Sequence, residues 1–436
     1  MTDARHTNRS SHRSAPPGPG PARGIPPSYL RRLALLSANA TPDGLPPFAG
    51  FRVVTVLHGY QNLLGVLVAM ERCGLDPAKT VVFIKAYQYA RRGTVIRELK
   101  RAGYTVYGLD QLHSLPVNAI VGGGTDPVLV VEDGGHATER LLSDELAAAR
   151  VAGVVEQTTK GVWRIKAALN GKVPAFPIIT IPDSQLKQRV EPPHIGEAAV
   201  HAVVSILGHV ALRNRKVAVL GAGGSIGSAV LDSLEEMCVK TRYYDADPTR
   251  LAALLAGSCG TLARSAAEAL KGASVVFGAT GAPLDKDGKA RPSIGLDEIP
   301  FLSDGVWLAS VSSDQVEFDL DALRAVSDGL PRPIRLSELH ERDDDRVVAH
   351  EYIVKGKRIR VLLEGMPVNF GEFGSMPDEV ADLIMTLVFL SAVDVVRQRF
   401  SGARGMLPEA TNKVAERHRL AEQWIDLTVE QRGGGR

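Results

Sequence analysis

The sequence predicts an α/β protein built on two doubly wound parallel sheets. Three observations support this. Residues 52–181 alternate short β-branched runs with amphipathic stretches, the pattern of strands joined by crossover helices. A second series opens at 216–227, KVAVLGAGGSIG, where a buried strand runs into a glycine-rich turn. The length, 436 residues, is too great for one ordinary domain and comfortable for two.

Composition is that of a globular chain, with 44% apolar and 23% charged residues. A net charge of +2 leaves no electrostatic footprint for a nucleic acid or a membrane surface, and neither partner is expected. Cys73, Cys238 and Cys259 share no metal-ligand spacing and form no even framework, so no metal site is expected and a reducing cytoplasm fits. Apolar runs are interrupted by charge or glycine before they reach a spanning length. The basic N-terminus has no continuous apolar core and does not read as a secretory signal.

Residues 1–27 are rich in Pro, Gly, Ser and Arg and are expected to be a disordered tail, because they bury too little apolar surface to fold alone. Strands follow at 52–57, 80–84, 105–108, 127–132, 153–155 and 176–181, with helices at 62–73, 92–102, 138–149 and 162–169. Ligands of such sheets sit at the carboxyl ends of the strands. Four polar clusters, 58–62, 133–136, 156–160 and 183–187, fall at such ends. Pro192 and Pro193 are expected to break the chain ahead of a long amphipathic helix at 195–212.

The glycine-rich turn organises the second half. Gly221 permits a tight turn, Gly223 lets the backbone approach a pyrophosphate, and Gly227 lets helix pack on strand. Gly224, Ser225 and Ile226 open the helix, whose free N–H groups and positive dipole end suit phosphates. The last glycine falls one residue later than in GxGxxG. The next strand, 241–244, ends in Asp245, 24 residues after Gly221, where a carboxylate accepts both ribose hydroxyls and repels a 2′-phosphate. This context predicts NAD in preference to NADP. Asp247 is the rival for the ribose and also reads as the cap of a helix starting near Pro248. Further strands are expected at 273–280, whose last residue Thr280 joins the cofactor set, and at 305–311. A hairpin around 355–357, a long apolar core helix at 377–397 and a charged C-terminal helix complete the chain.

Five blocks, in order, resemble the S-adenosylhomocysteine hydrolase family. VVEDGGHATERL at 130–141 is similar to its DDGG-D-T stretch, VVEQTTKGVWRI at 154–165 to its EETTTGV-R-L, and PDSQLKQRVE at 182–191 to its NDSVTKSKFDN. The glycine-rich block follows, and RIRVLLEGMPVNFG at 358–371 resembles R-I-LLAEGR-VNLG. The resemblance implies a Rossmann NAD-binding domain, 194–369, inserted in a substrate domain split into 28–193 and 370–404, with 405–436 as a C-terminal helix and tail. It also implies closure about hinges and a homo-oligomer. Tightly held NAD would oxidise a ribose 3′-hydroxyl, permit elimination and water addition, and reduce the ketone back.

Carried over residue by residue, the resemblance gives His58, Asp133, Lys187 and Glu191 catalytic roles, the last replacing an aspartate. Thr158, Thr159 and Asn369 would touch NAD, and Asp245 stands where the family has a ribose glutamate. Tyr60 and Asn62 replace a threonine and a glutamate that grip adenine, and Gln157 replaces a catalytic glutamate. Pro192 replaces an asparagine, Ser313 in SVSSDQVEFD replaces the histidine of NIGHFDVEID, and Met376 replaces a second histidine. The family's closing KPDHYRY, which reaches a neighbour's NAD site, has no counterpart in QRGGGR. Plainer readings stand beside these. Lys187 with Glu191 is also an ordinary i,i+4 pair, His58 a structural histidine, and Asp133–Gly134–Gly135 a simple β-turn.

Hydride transfer needs NAD, a bound hydroxyl and a base, and these parts are kept. Elimination and hydration need further acid–base groups, each worth roughly 10²–10⁴-fold, which Gln157, Ser313 and Met376 cannot supply. The expectation is an NAD-dependent oxidoreductase acting on a hydroxyl of a different small molecule or a modified nucleoside. A non-catalytic NAD-binding regulator and an atypical adenosylhomocysteinase are the alternatives.

Overall fold

The Val- and Ile-rich runs become strands because β-branched side chains fit a pleated surface covered on both faces. The computed structural model describes residues 24–41, 44–87, 91–255, 257–283, 291–340, 344–370 and 375–433. In chain order the strands are β1 Arg52–Leu57, β2 Thr80–Ile84, β3 Thr105–Gly108, β4 Val128–Glu132, β5 Val151–Glu156, β6 Pro177–Thr180, β7 Val217–Leu220 and β8 Thr241–Tyr244. They continue as β9 Thr261–Leu262, β10 Val275–Gly278, β11 Val306–Ser310, β12 Arg332–Arg335, β13 Val347–Val354, β14 Lys357–Leu362 and β15 Gly405–Leu407. The first sheet has the order β15-β6-β5-β4-β1-β2-β3 and is parallel throughout. The second has the order β12-β13-β14-β11-β10-β7-β8-β9.

Period-2 alternation divides each sheet between two cores. Val53, Val82, Leu129, Val131 and Val155 face one layer of helices, while Val54, Val81, Val128, Val130 and Val154 face the other. Val217, Val219, Val275 and Phe277 do the same on one face of the second sheet, with Ala218, Leu220 and Val276 on the opposite face. The helix Asp378–Val396 is buried along most of its length in the first sheet's core. Its acids have partners: Asp382 accepts the Leu35 and Leu36 N–H groups at 2.7 and 2.9 Å, and Asp394 binds Arg417 and His418. Among the described residues no helix is long and apolar enough to cross a membrane.

Several expectations are corrected. The second sheet is mixed: β12–β13–β14 run antiparallel at its edge, because the hairpin turn at Lys355 and Gly356, both with positive φ, reverses the chain. Pro192 and Pro193 do not stop a helix; Gln185–Leu207 runs through them and ends at Gly208. An interior proline costs about 3 kcal/mol, offset here by packing of Pro192, Ile195 and Gly196, the last with no room for a side chain against Ala229. The domain boundary expected at 193 therefore falls inside one helix. Asp144 caps a new helix within 138–149, splitting it into His136–Leu142 and Glu145–Ala148. β15, inside what reads as a C-terminal tail, is a strand of the first sheet, and two helices, Ala410–Arg417 and Leu420–Gly433, follow it. Residues 1–23 of the expected tail lie outside the described residues, and Ile25 is already buried in the core.

Each sheet has a switch point between neighbouring parallel strands, where the order turns back on itself. The first sheet switches between β1 and β4, the second between β7 and β10. Loops diverge at such points and leave a crevice at the strands' carboxyl ends.

Candidate functional site

β7 ends at Leu220, and Gly221 turns the chain with φ +77°. A Cβ there would lie 2.7 Å from the backbone of Ala279 and Thr280, so glycine lets the two loops of the switch point meet. A Cβ at Gly227 would lie 2.1 Å from the Gly221 carbonyl oxygen, which is the close helix–strand packing expected. Gly223 departs from expectation. A Cβ on it would lie 2.3 Å from the Cβ of Arg250, so its missing side chain makes room for the helix Pro248–Leu255 and not for a ligand. The extra residue between the glycines moves the open position by one. Gly224, with Ser225 and Ile226, faces the cavity at the start of the helix Ser225–Glu236.

Asp245 is likewise placed differently. Its Oδ2 accepts the Gly223 N–H and its Oδ1 the Asp247 N–H, each at 2.9 Å. The carboxylate is buried and braces the turn, while Arg250 lines the cavity. Asp247 caps its helix, accepting the Thr249 N–H at 2.8 Å. Glu317 ties the loops after β10 and β11 together. It accepts from Thr280 Oγ1 at 3.0 Å, from the Gly281 N–H at 2.7 Å and from Ser312 Oγ.

The first switch point is made of side chains. Asp133, after β4, takes His58 Nε2 at 3.2 Å and Lys85 Nζ at 2.5 Å. Burial alone would raise its carboxyl, but the Lys85 ammonium and His58 hold it well below the usual range. Burial likewise opposes the Lys85 charge, and Asp133 and Asp314 overcome it. An acid gripped by two bases is a poor proton acceptor, so the arrangement orients His58 and leaves Asp133 charged. Behind it, Glu156 accepts the N–H groups of Gly134, Gly135 and Thr158 and the Thr158 hydroxyl, at 2.7–3.0 Å. Burial, and Glu132 alongside, push Glu156 up to about 8. Gly161 has no side chain because Glu156 fills its space. One carboxylate thus registers the Asp133 turn with Thr158.

The helix Gln185–Leu207 brings Lys187 Nζ to 2.9 Å from Glu191, both side chains largely buried. A cavity of about 670 Å³ joins these parts. It is lined from the first lobe by His58, Tyr60, Asn62, Asp133, Gln157, Thr158, Thr159, Lys187 and Glu191, and from the second by Gly224–Ile226, Thr280, Ser313 and Asn369. Met376 lines it too. Gly221, Gly223, Gly227 and Asp245 support it from behind. Asn369 Oδ1 is buried with no hydrogen-bond partner among the described residues, although the side chain lines the cavity. It is an acceptor suited to a ligand amide or hydroxyl. The Tyr60 hydroxyl donates to the Phe370 carbonyl at 3.2 Å, and the rings of His58 and Phe370 lie 4.6 Å apart.

Lys85, Tyr87, Asp314 and Arg250 were not singled out by sequence. A lone lysine after an apolar strand has no local signature, and its partners lie 48 and 229 positions away. The one available signal was Lys85 ending a strand beside the β1 switch position.

No protein-family model matches the chain. The chain is 25% identical over 401 residues to the adenosylhomocysteinase of Thermococcus kodakarensis, covering 88% of this chain and 87% of that one. It is 25% identical over 397 residues to the adenosylhomocysteinase of Archaeoglobus fulgidus, covering 88% and 90%. It is 25% identical over 317 residues to the S-inosyl-L-homocysteine hydrolase of Methanopyrus kandleri, covering 70% and 69%.

Proposed function

We propose that this chain, which is similar to adenosylhomocysteinases over most of its length, is a divergent relative of them that binds NAD and oxidises a hydroxyl of a small molecule other than S-adenosylhomocysteine. One observation carries the reading: a single cavity is lined both by the helix start at Gly224–Ile226 and by the Lys187–Glu191 pair. Gly224, Ser225 and Ile226 would hold the phosphates through backbone N–H groups, and Asn369 Oδ1 would accept the carboxamide. When bound, NAD accepts a hydride. The Glu191 carboxylate takes the hydroxyl proton, and the Lys187 ammonium at 2.9 Å stabilises the negative charge developing on oxygen. His58, held by Asp133, orients the substrate. Trp163 lies against Gly281 where both line the cavity, a contact that would help keep water from the reacting hydroxyl.

Gln157, Ser313 and Met376 line the same cavity without an ionisable group, which argues against elimination and hydration. Hydrolysis of a thioether nucleoside is the second reading, favoured by the names of relatives that match most of the chain. Purified protein, offered candidate alcohols, should generate NADH. Lys187→Ala should slow this by about 10²-fold or more while leaving NAD affinity unchanged. Steady release of homocysteine from S-adenosylhomocysteine or S-inosylhomocysteine would overturn the proposal in favour of the second reading.

A further inference from the structure

Beside the cavity, four donors of the first lobe converge on one point. Tyr87, beyond β2, reaches Asp314 Oδ1 at 2.9 Å, and Lys85 Nζ lies 3.5 Å from the same oxygen. From the helix Thr159–Leu169, Lys160 Nζ lies 3.3 Å from Asp314 Oδ2 and Arg164 Nη2 4.0 Å. Asp314 belongs to the other lobe, in the loop after β11, and is held at φ +66°. Its amide also donates to the Tyr87 hydroxyl.

Without Asp314 the first lobe is unbalanced here. Asp133 is already shared between Lys85 and His58, and Glu139 stands 3.7 Å from Arg164. Three cations then face two engaged carboxylates, and Lys85 is 1% exposed. Partly buried cations need an anion, because desolvation is otherwise uncompensated. His136 cannot supply one; burial and Arg164 push its imidazole down to about 3, so it stays neutral. The sequence blocks quoted above point the same way. The third acid of DDGG-D-T is His136, the third threonine of EETTTGV is Lys160, and the phenylalanine of NIGHFD is Asp314. Against those blocks this chain carries a cation at Lys160, an acid at Asp314 and no acid at His136.

We propose that Lys85, Tyr87, Lys160 and Arg164 form an oxyanion subsite of the cavity, occupied by Asp314 when the lobes are closed and taken over by a carboxylate or phosphate group of the entering ligand. Lys160 and Asp133, which line the cavity, connect the subsite to it. The proposal rests on the cavity and not on hydride transfer, so the two stand or fall separately.

The test is binding by full-length protein without any dinucleotide. In Asp314→Ala, sodium acetate or inorganic phosphate should raise the melting temperature saturably, beyond sodium chloride at equal ionic strength. The wild type should show no such gain. Adding Lys160→Ala should weaken the anion by about tenfold. Acetate acting better than phosphate assigns a carboxylate ligand, and the reverse a phosphate. Should Asp314→Ala fail to fold, Asp314→Asn, which keeps the shape and removes the charge, takes the same titration. Absence of an anion-specific gain in the variant that folds, or a gain unaffected by Lys160→Ala, overturns the proposal.

Discussion

The two switch points solve one geometric problem with different materials. At the second, between β7 and β10, the crevice is made by backbone: Gly221 and Gly227 have no space for a Cβ, and Gly224 leaves a helix start open. At the first, between β1 and β4, it is made by charged side chains: Lys85, Asp133 and His58, with Asp314 arriving from the other lobe. Backbone sites hold their geometry through sterics and tolerate no added atoms. Charge-built sites hold it through compensation and tolerate no unpaired removal. The two regions should therefore fail in different ways.

The largest effect should come from uncompensating the charge-built region. Lys85→Met leaves Asp133 and Asp314 without the cation between them. Removing one partner of a buried pair costs about 3–5 kcal/mol, which urea denaturation at neutral pH would register. A cost below about 1 kcal/mol would mean that water already shields the cluster and that the contrast between the regions is false.

Next comes Gly221→Ala. The φ of +77° disfavours any side chain, and the new Cβ would sit 2.7 Å from the Ala279 and Thr280 backbone. A stability loss of about 1–3 kcal/mol should accompany loss of NAD binding in calorimetric titration. Retained NAD affinity would show that the turn does not shape the phosphate site.

This contrast also explains what the sequence revealed. The glycines, Asp245 and the strand–turn–helix order lie within 25 residues of one another, and their spacing is itself the geometric requirement. Strand runs were legible because β-branched residues buried on both faces leave an uninterrupted apolar signal. The Lys85–Asp133–Asp314 cluster was not, because its members are joined only by folding. Arg250 over Gly223 was hidden similarly: a helix filling a glycine's space has no local pattern. Pro192 and Pro193 misled because local proline chemistry was outweighed by packing on Ala229. β15 is three residues long and too short to signal a strand at all.

A smaller effect should come from Glu156, which shares features of both regions: a buried carboxyl group whose partners are mostly backbone. Its carboxyl is raised from 4.5 to about 8, so the native state keeps a proton that the unfolded chain has released. Native protein then binds more protons across that window, and its contribution to stability declines as pH rises from about 4.5 to about 8. Glu156→Gln resembles the protonated form. It should cost about 1 kcal/mol near pH 5, with the difference from wild type shrinking and then reversing as pH rises toward 8. The four donors pull the other way, toward a charged carboxylate. If the variant instead becomes relatively less stable as pH rises, those donors win and Glu156 belongs with the charge-built region.

The last effect, on binding and not on folding, concerns cofactor choice. Asp245 lies in the backbone-built region, yet its carboxylate is spent on the Gly223 and Asp247 N–H groups at 2.9 Å. A carboxylate has about four lone-pair sites, so two remain for a ribose. Reaching them requires the half-exposed Arg250 side chain, 3.5 Å from Asp247, to swing aside. Asp245→Asn places an amide against one of the two backbone donors and removes the charge that repels a 2′-phosphate. NAD should weaken by about tenfold, the scale of one charge-assisted hydrogen bond. NADP should weaken less, because Arg250 remains to meet the phosphate. Arg250→Ala should do the opposite, lowering NADP affinity and leaving NAD unchanged or tighter as the slot opens. Calorimetric titration of both cofactors against the two variants separates these outcomes. Equal losses for NAD and NADP in Asp245→Asn would mean that Asp245 only braces the turn, and that the second switch point reads phosphates without reading the ribose.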